Sequence, residues 1–221
     1  MNAKKTQAQE FNLREPLLLK SKDGTPIKVV ENFKYLGAWS HSSMKDFLVR
    51  KALAWSACHK LRKIWSSNLK RKIKVRLFVA TVESVLLYGA ETWTLTESMR
   101  KQLDGGYTRM LRMAVNVTWE AHLTNDELYQ ELPRVSEKVA QRRLRLAGHC
   151  IRHKEEVASD LVLWEPTEGQ PGRGRRQKSY IDNLLEDTGT DNAAELRTLM
   201  MDRDTWKVRV EAAGRPDGRR R

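Results

Sequence analysis

SMKDFLVRKALAWSACHKLRKIWSSNLKRKIKVRLFVATVESVLLY, running from Ser43 to Tyr88, is the stretch on which the fold turns. Phe47, Ala54, Cys58, Leu61 and Trp65 recur at spacings of seven, four, three and four residues, which places them on one face of an α-helix. Ser43, with Asp46 three residues on, reads as a capping box at the start of that helix. A second helix is expected from about Leu69 to Tyr88, with Val75, Phe78, Val79, Val82 and Leu86 turned inward. From Phe47 to Val82 the basic residues are Arg50, Lys51, Lys60, Arg62, Lys63, Lys70, Arg71, Lys72, Lys74 and Arg76, and no acidic residue lies among them. These ten cations compare with a net charge of +13 for the whole chain. Like charges this dense repel one another, and such a run is normally tolerated because a polyanion neutralises it. The same residues also read as a solvated face over an apolar core, and the two readings are compatible. Trp55, Trp65 and Phe78, interleaved with the cations, read as core rather than as platforms for stacking bases.

On the N-terminal side the pattern is that of strands and turns. Leu17 to Lys20 is a short apolar run, Asp23-Gly24 is a hairpin signal, and Ile27 to Val30 and Phe33 to Leu36 read as returning strands, with Gly37 ending the second. On the C-terminal side a third helix is boxed by Thr94 and Glu97 and weakened by Gly105-Gly106. A short fourth helix is boxed by Thr124 and Glu127 and stopped at Pro133, and a fifth runs from about Val135 to Arg152. Two Pro and three Gly between Glu165 and Arg176 read as a linker. Two short amphipathic helices are expected near Ser179 to Glu186 and Asp202 to Ala212, followed by a frayed basic end, Gly218 to Arg221. The fold class is therefore mainly α: a multi-helix bundle with a small N-terminal β-hairpin and a less ordered basic C-terminal region. Its segments are 1–41, 42–118, 119–164 and 165–221.

The bulk composition narrows the classes. Of 221 residues, 40% are hydrophobic, enough for a real core, and seven are Trp, unlike a disordered basic tail. Lys plus Arg number 41 against 28 for Asp plus Glu, which is a statement about polyanionic partners. No apolar run approaches the roughly 20 residues that span a bilayer, so no membrane partner is expected. Met1 to Glu10 is polar, without the apolar stretch of a signal peptide. Cys58 and Cys150 are too few and too far apart for a disulfide framework, which fits a reducing compartment. The expected location is nuclear or cytoplasmic.

Lys138, Arg142, Arg145, His149 and Arg152 fall at helical spacing on one face of the fifth helix, with Val139, Leu146 and Cys150 on another. A row of cations of this kind matches the phosphates of a strand, and Arg173, Arg175 and Arg176 among glycines form an anion-binding loop. No complete catalytic constellation accompanies these cations. There is no aspartate pair in a strand-turn setting for two metals. Asp182, Glu186 and Asp187 read as a solvated helix face. His149 and His153 have the spacing of a helical zinc pair but no second ligand pair, and no phosphate-cradling Gly-Lys-Ser/Thr loop exists. No catalytic residue and no metal site is expected in this chain.

Several strings, taken in order, resemble reverse transcriptases of non-LTR (LINE-type) retrotransposons. Asn2-Ala3-Lys4-Lys5-Thr6 resembles the Asn-x-x-Lys-Thr stretch that lies after their catalytic aspartates. Phe33-Lys34-Tyr35-Leu36-Gly37 is similar to their primer grip, and Leu86-Leu87-Tyr88-Gly89-Ala90-Glu91-Thr92-Trp93 to a signature of the thumb and the helices after it. Arg143-Leu144-Arg145-Leu146-Ala147-Gly148-His149-Cys150-Ile151-Arg152 resembles their Leu-Arg…Gly-His…Arg block. Gly172-Arg173-Gly174-Arg175-Arg176 through Tyr180-Ile181-Asp182 resembles the Gly-Arg stretch and the aromatic-x-Asp beyond it, with Tyr180 where Trp is usual. Asp202-Arg203-Asp204-Thr205-Trp206 resembles the closing Asp-Arg-x-x-Trp.

The resemblance implies the rear of such an enzyme: the end of the palm, a primer grip, a thumb-like helical region and a basic extension. In the family these parts hold the template-primer duplex. The residues expected at nucleic acid are Lys5, Phe33, Tyr35, Leu36 and Gly37 from the resemblance. The charge pattern adds Lys60, Arg62, Lys63, Lys70, Arg71, Lys72, Lys74, Arg142, Arg145, Arg152, Arg173, Arg175 and Arg176. The family's catalytic aspartates have no counterpart in these 221 residues. The expectation is therefore a truncated enzyme, inactive as a polymerase on its own, that grips an RNA or DNA duplex through phosphates. No cofactor is expected here, since Mg2+ would belong to the missing catalytic half. A chain completed by a separately encoded catalytic half, and a decayed reading frame without selected function, stay open as alternatives.

Overall fold

A computed structural model of the chain describes residues 6–9, 18–39, 42–155, 157–164, 176 and 178–213. Lys5, Arg173 and Arg175 lie outside the described residues, as do most of the linker and the Gly218 to Arg221 end. The chain divides into two units, Met1–Leu48 and Val49–Arg221. The protein is mainly α-helical, and among the described residues the small β elements lie in the first unit.

In the first unit the Asp23-Gly24 turn forms as expected: the Ser21 amide donates to the Thr25 carbonyl at 2.8 Å, Gly24 takes a left-handed φ of +76°, and Lys20 bridges Pro26. The strand pairing differs from expectation. β1 (Gln7–Gln9) runs parallel to β2 (Lys28–Val30). The hairpin forms one step later, between β3 (Lys34–Tyr35) and β4 (Ala38–Trp39), in register Lys34 opposite Trp39. Gly37 therefore does not end a strand. It sits in the two-residue turn with Leu36, both at positive φ (+88° and +47°), as a tight hairpin of right-handed twist requires.

α1 spans Ser43–Lys60. Its cap is Ser42, one residue earlier than expected: the Ser42 hydroxyl accepts the Lys45 amide at 3.2 Å, while the Asp46 carboxylate accepts the Trp39 amide at 3.1 Å. Phe47, Ala54 and Cys58 are buried on the predicted face. α1 gives way at Leu61 to the short α2 (Arg62–Trp65), which ends where the Ser66 and Ser67 hydroxyls bond back to the carbonyls of Arg62, Lys63 and Ile64.

The expected second helix appears as α3 (Arg71–Phe78), a π-helical turn Val79–Glu83, and α4 (Ser84–Leu86). The π turn inserts a residue and rotates the helix beyond it. Phe78, Val82, Leu86 and also Glu83 and Leu87 are buried, whereas Val75 and Val79 are only half-buried. Gly89, at φ +72°, reverses the chain after α4.

α5 (Glu97–Val115) is capped by Thr96, not Thr94, and runs through Gly105-Gly106 without interruption. A Cβ on Gly106 would stand in ordinary van der Waals contact with Lys51 Cε, at 3.4 Å. α6 (Asn125–Tyr129) carries the expected Thr124/Glu127 capping box, and α7 spans Val135–Arg152 as predicted. The Asp104 carboxylate, from α5, accepts the Ser136 amide at 3.0 Å and hydroxyl at 2.8 Å, fixing the start of α7.

α8 (Val157–Leu161) is short. Residues 178–213, expected to hold two short helices in a less ordered region, contain three: α9 (Tyr180–Thr188), α10 (Ala193–Met201) and α11 (Arg203–Ala212). They pack on α7 through one apolar core of Leu144, Ala147, Ile151, Leu184, Leu196, Met200, Trp206 and Val210. The α10 cap, Asn192, accepts the Glu195 amide at 2.8 Å.

Candidate nucleic-acid interface

Two hydrogen bonds fold the basic segment into a tight turn. The Trp65 indole Nε1 donates to the Cys58 carbonyl at 2.8 Å, and the Lys74 ammonium donates to the Trp65 carbonyl at 2.6 Å. Trp65 and Lys74 are both buried, so the end of α1, all of α2 and the start of α3 are clamped around them. Lys60, Arg62, Lys63, Lys70, Lys72 and Arg76 ring this clamp and are exposed. Among the described residues none of the six is joined to a carboxylate. The turn therefore carries an unneutralised cluster of cations and a concentrated positive potential.

Not every predicted cation lies there. Lys74 is the clamp itself. Arg71 Nε donates to Gln130 Oε1 at 3.1 Å and its Nη2 donates to the Leu128 carbonyl, tying α3 to α6. The predicted stripe on α7 is likewise largely consumed by structure. Lys138 pairs with buried Glu83 at 2.6 Å, Arg142 donates to the Leu87 carbonyl at 2.9 Å, and Arg152 donates to the Met200 carbonyl at 2.8 Å. Only Arg145 and His149 of the stripe are fully exposed. Arg176 reaches Asp182 at 3.2 Å.

In the first unit Tyr35 and Leu36 are exposed at the hairpin tip, and the Phe33 and Tyr35 rings stack with centroids 6.5 Å apart. Phe33 and Gly37 are half-buried.

Several residues that periodicity and charge did not single out hold the helices together. Arg143, noticed only within a motif, is fully buried and pairs with buried Asp187 at 2.6 Å. Burial holds its guanidinium below the ordinary arginine range, and Asp187 opposes that shift. Asn183 receives the Leu95 amide at 2.6 Å and donates to the Leu95 carbonyl at 3.0 Å, pinning the segment before α5 to α9. Glu83, placed inward by the π turn, accepts the Tyr107 hydroxyl at 2.5 Å as well as Lys138. Burial and then the Glu83 charge push the Tyr107 phenol far above its usual value. The three acids Asp182, Glu186 and Asp187 are dispersed: Asp182 accepts the Ser179 amide in the capping box that starts α9, Glu186 faces Lys178 at 2.5 Å, and Asp187 faces Arg143.

Neither cysteine is poised for chemistry. Cys58 and Cys150 are free and buried, and burial pushes the Cys58 thiol up to about 11. The His149 and His153 rings meet in a tilted contact with centroids 4.2 Å apart, and among the described residues no group of three or more His, Cys, Asp or Glu could hold a metal ion. Among the described residues no helix is long and apolar enough to cross a membrane. Trp65 and Phe78 are core residues, whereas Trp55 is half-buried against His59.

Residues 57–88 match a family described as a domain of unknown function, DUF6451. The matched segment contains α2, the basic turn, α3 and α4. No curated protein and no solved structure matches the chain.

Proposed function

We propose that the chain grips nucleic-acid duplexes through their phosphates, without reading sequence, as the rear part of a non-LTR retrotransposon reverse transcriptase. The reading is carried by one observation: Lys60, Arg62, Lys63, Lys70, Lys72 and Arg76 stand exposed and unneutralised around a turn clamped by Trp65 and Lys74. Phosphate contacts supply affinity and register but no base discrimination. The exposed Tyr35-Leu36 tip fits the primer-grip resemblance, and the ordered series of motifs supports the family assignment. The bound species is a template-primer duplex, RNA or DNA, and the polymerase chemistry belongs to a catalytic half carrying the aspartates and Mg2+.

The test is a duplex titration across a salt series. If the six free cations engage, log K falls with log salt at a slope near about −5 for a B-form duplex, by counterion release. The quadruple variant Lys60→Gln, Lys63→Gln, Lys70→Gln, Lys72→Gln lowers the slope by about one per contact, equally for unrelated sequences. Arg71 and Lys74 are left out because removing them would test folding rather than binding. A slope near zero, or a variant that binds like its parent, overturns the proposal.

A further inference from the structure

Between α7 and α11 opens a cleft of about 570 Å3. Arg145, His149 and Arg152 line it from α7, and Arg203 and Lys207 from α11. Its floor is held rigidly. The Trp206 indole donates to the Leu144 carbonyl at 3.0 Å, and its ring lies so close to Gly148 that a Cβ there would meet Nε1 at 2.2 Å. Arg152 is positioned by its bond to the Met200 carbonyl, and the His149 ring lies against the His153 ring in a tilted contact.

Four full cations thus converge on a concave site that also holds two carboxylates, Asp204 and Glu211. Among the described residues no ion pair joins any of the four to either acid. A concave surface focuses such an excess of positive field, and guanidinium forks match the oxygens of phosphate.

We propose that this cleft binds phosphate groups of a nucleic-acid strand and is a second grip point, built from different elements than the basic turn. The identity of the strand rests on the nucleic-acid reading above, while the anion chemistry rests on the cleft alone.

The experiment tracks the His149 imidazole resonances of the full chain by NMR. The added ligands are inorganic pyrophosphate and, separately, a single-stranded oligonucleotide of about ten nucleotides. Both should move His149 saturably. The double variant Arg203→Glu, Lys207→Glu changes two exposed positions and should keep its helix content by circular dichroism. It should weaken both ligands by at least about tenfold, as expected for lost charge-assisted contacts. A silent His149, or a variant that binds like its parent, overturns the site. A response to pyrophosphate but not to the oligonucleotide overturns the strand as ligand. Duplex binding with a silent His149 sinks the cleft alone. A moving His149 without any duplex binding sinks the basic-turn reading and leaves the cleft standing.

Discussion

Gly148 lacks a side chain because Trp206 occupies its place. A Cβ there would lie 2.2 Å from the indole nitrogen and 2.6 Å from Cδ1, so the ring would have to leave its bond to the Leu144 carbonyl. This contact joins two motifs that stand 58 residues apart, Gly148-His149 on α7 and Asp202 to Trp206 at the start of α11. Gly148→Ala is expected to destabilise the protein by about 2–4 kcal/mol, combining overpacking with the loss of a buried hydrogen bond. Urea unfolding measures this, and a change under about 0.5 kcal/mol would show that the ring can shift freely. Burial also separates cations that look alike in the sequence. Lys74 and Arg143 resemble any other basic residue there, yet both are buried and act as structural clamps. Asp187→Asn should cost about 3–5 kcal/mol by leaving the Arg143 charge unpaired in the core. Equal unfolding midpoints for variant and parent would contradict that.

At the scale of elements, most of the longer helices were readable and their starts were less so, for local reasons. Ser42 and Ser43 are equivalent cap formers, and the choice fell to Ser42 while Asp46 engaged the Trp39 amide. Thr94 and Thr96 compete similarly. Trp93 and Leu95 are buried, and Asn183 holds the Leu95 backbone from α9, so α5 begins only beyond them. The expected Thr124 and Glu127 box formed, and the helix expected near Asp202 begins with Asp202 as its cap. These caps make the helices sensitive to acid. The hydroxyl and amide of Thr205 hold the Asp202 carboxyl below its ordinary 3.8, and those of Thr124 hold Glu127 below 4.5. A carboxyl depressed in the folded state contributes its full stability above the ordinary value and loses it as pH falls through the folded value. Stability should therefore drop as pH falls below about 4.5. Asp202→Asn, which still accepts the amides but does not titrate there, should flatten part of that drop in thermal melts from about pH 6 to about pH 3. Parallel profiles for variant and parent would dismiss the cap as a source of acid sensitivity.

Across the whole molecule, the two proposed grips predict avidity. A strand long enough to reach both the basic turn and the α7–α11 cleft should bind more tightly than a short one, because the second contact becomes intramolecular. Arg203→Glu, Lys207→Glu should erase that length-dependent gain and leave short-duplex binding at the basic turn unchanged. Affinity independent of length, or a variant that loses short-duplex binding, would show that the two clusters do not act as independent grips. Of the α7 stripe drawn from periodicity, Lys138 and Arg142 are tied to α7's own neighbours, whereas Arg145, His149 and Arg152 line the cleft.

By itself the sequence determined that the protein is helical, where α7 runs, that Thr124 and Asp202 begin helices, and that the cations concentrate between Phe47 and Val82. These properties arise from local periodicity, short-range capping and composition, all of which are complete within a few turns of chain. Only the tertiary structure decided which cations face outward. Burying Lys74 against Trp65, Arg143 against Asp187 and Lys138 against Glu83 requires partners up to 55 residues away. The burial of Glu83 and the cleft over Trp206 likewise depend on surfaces that meet only in the fold, and no periodicity within one helix encodes that meeting.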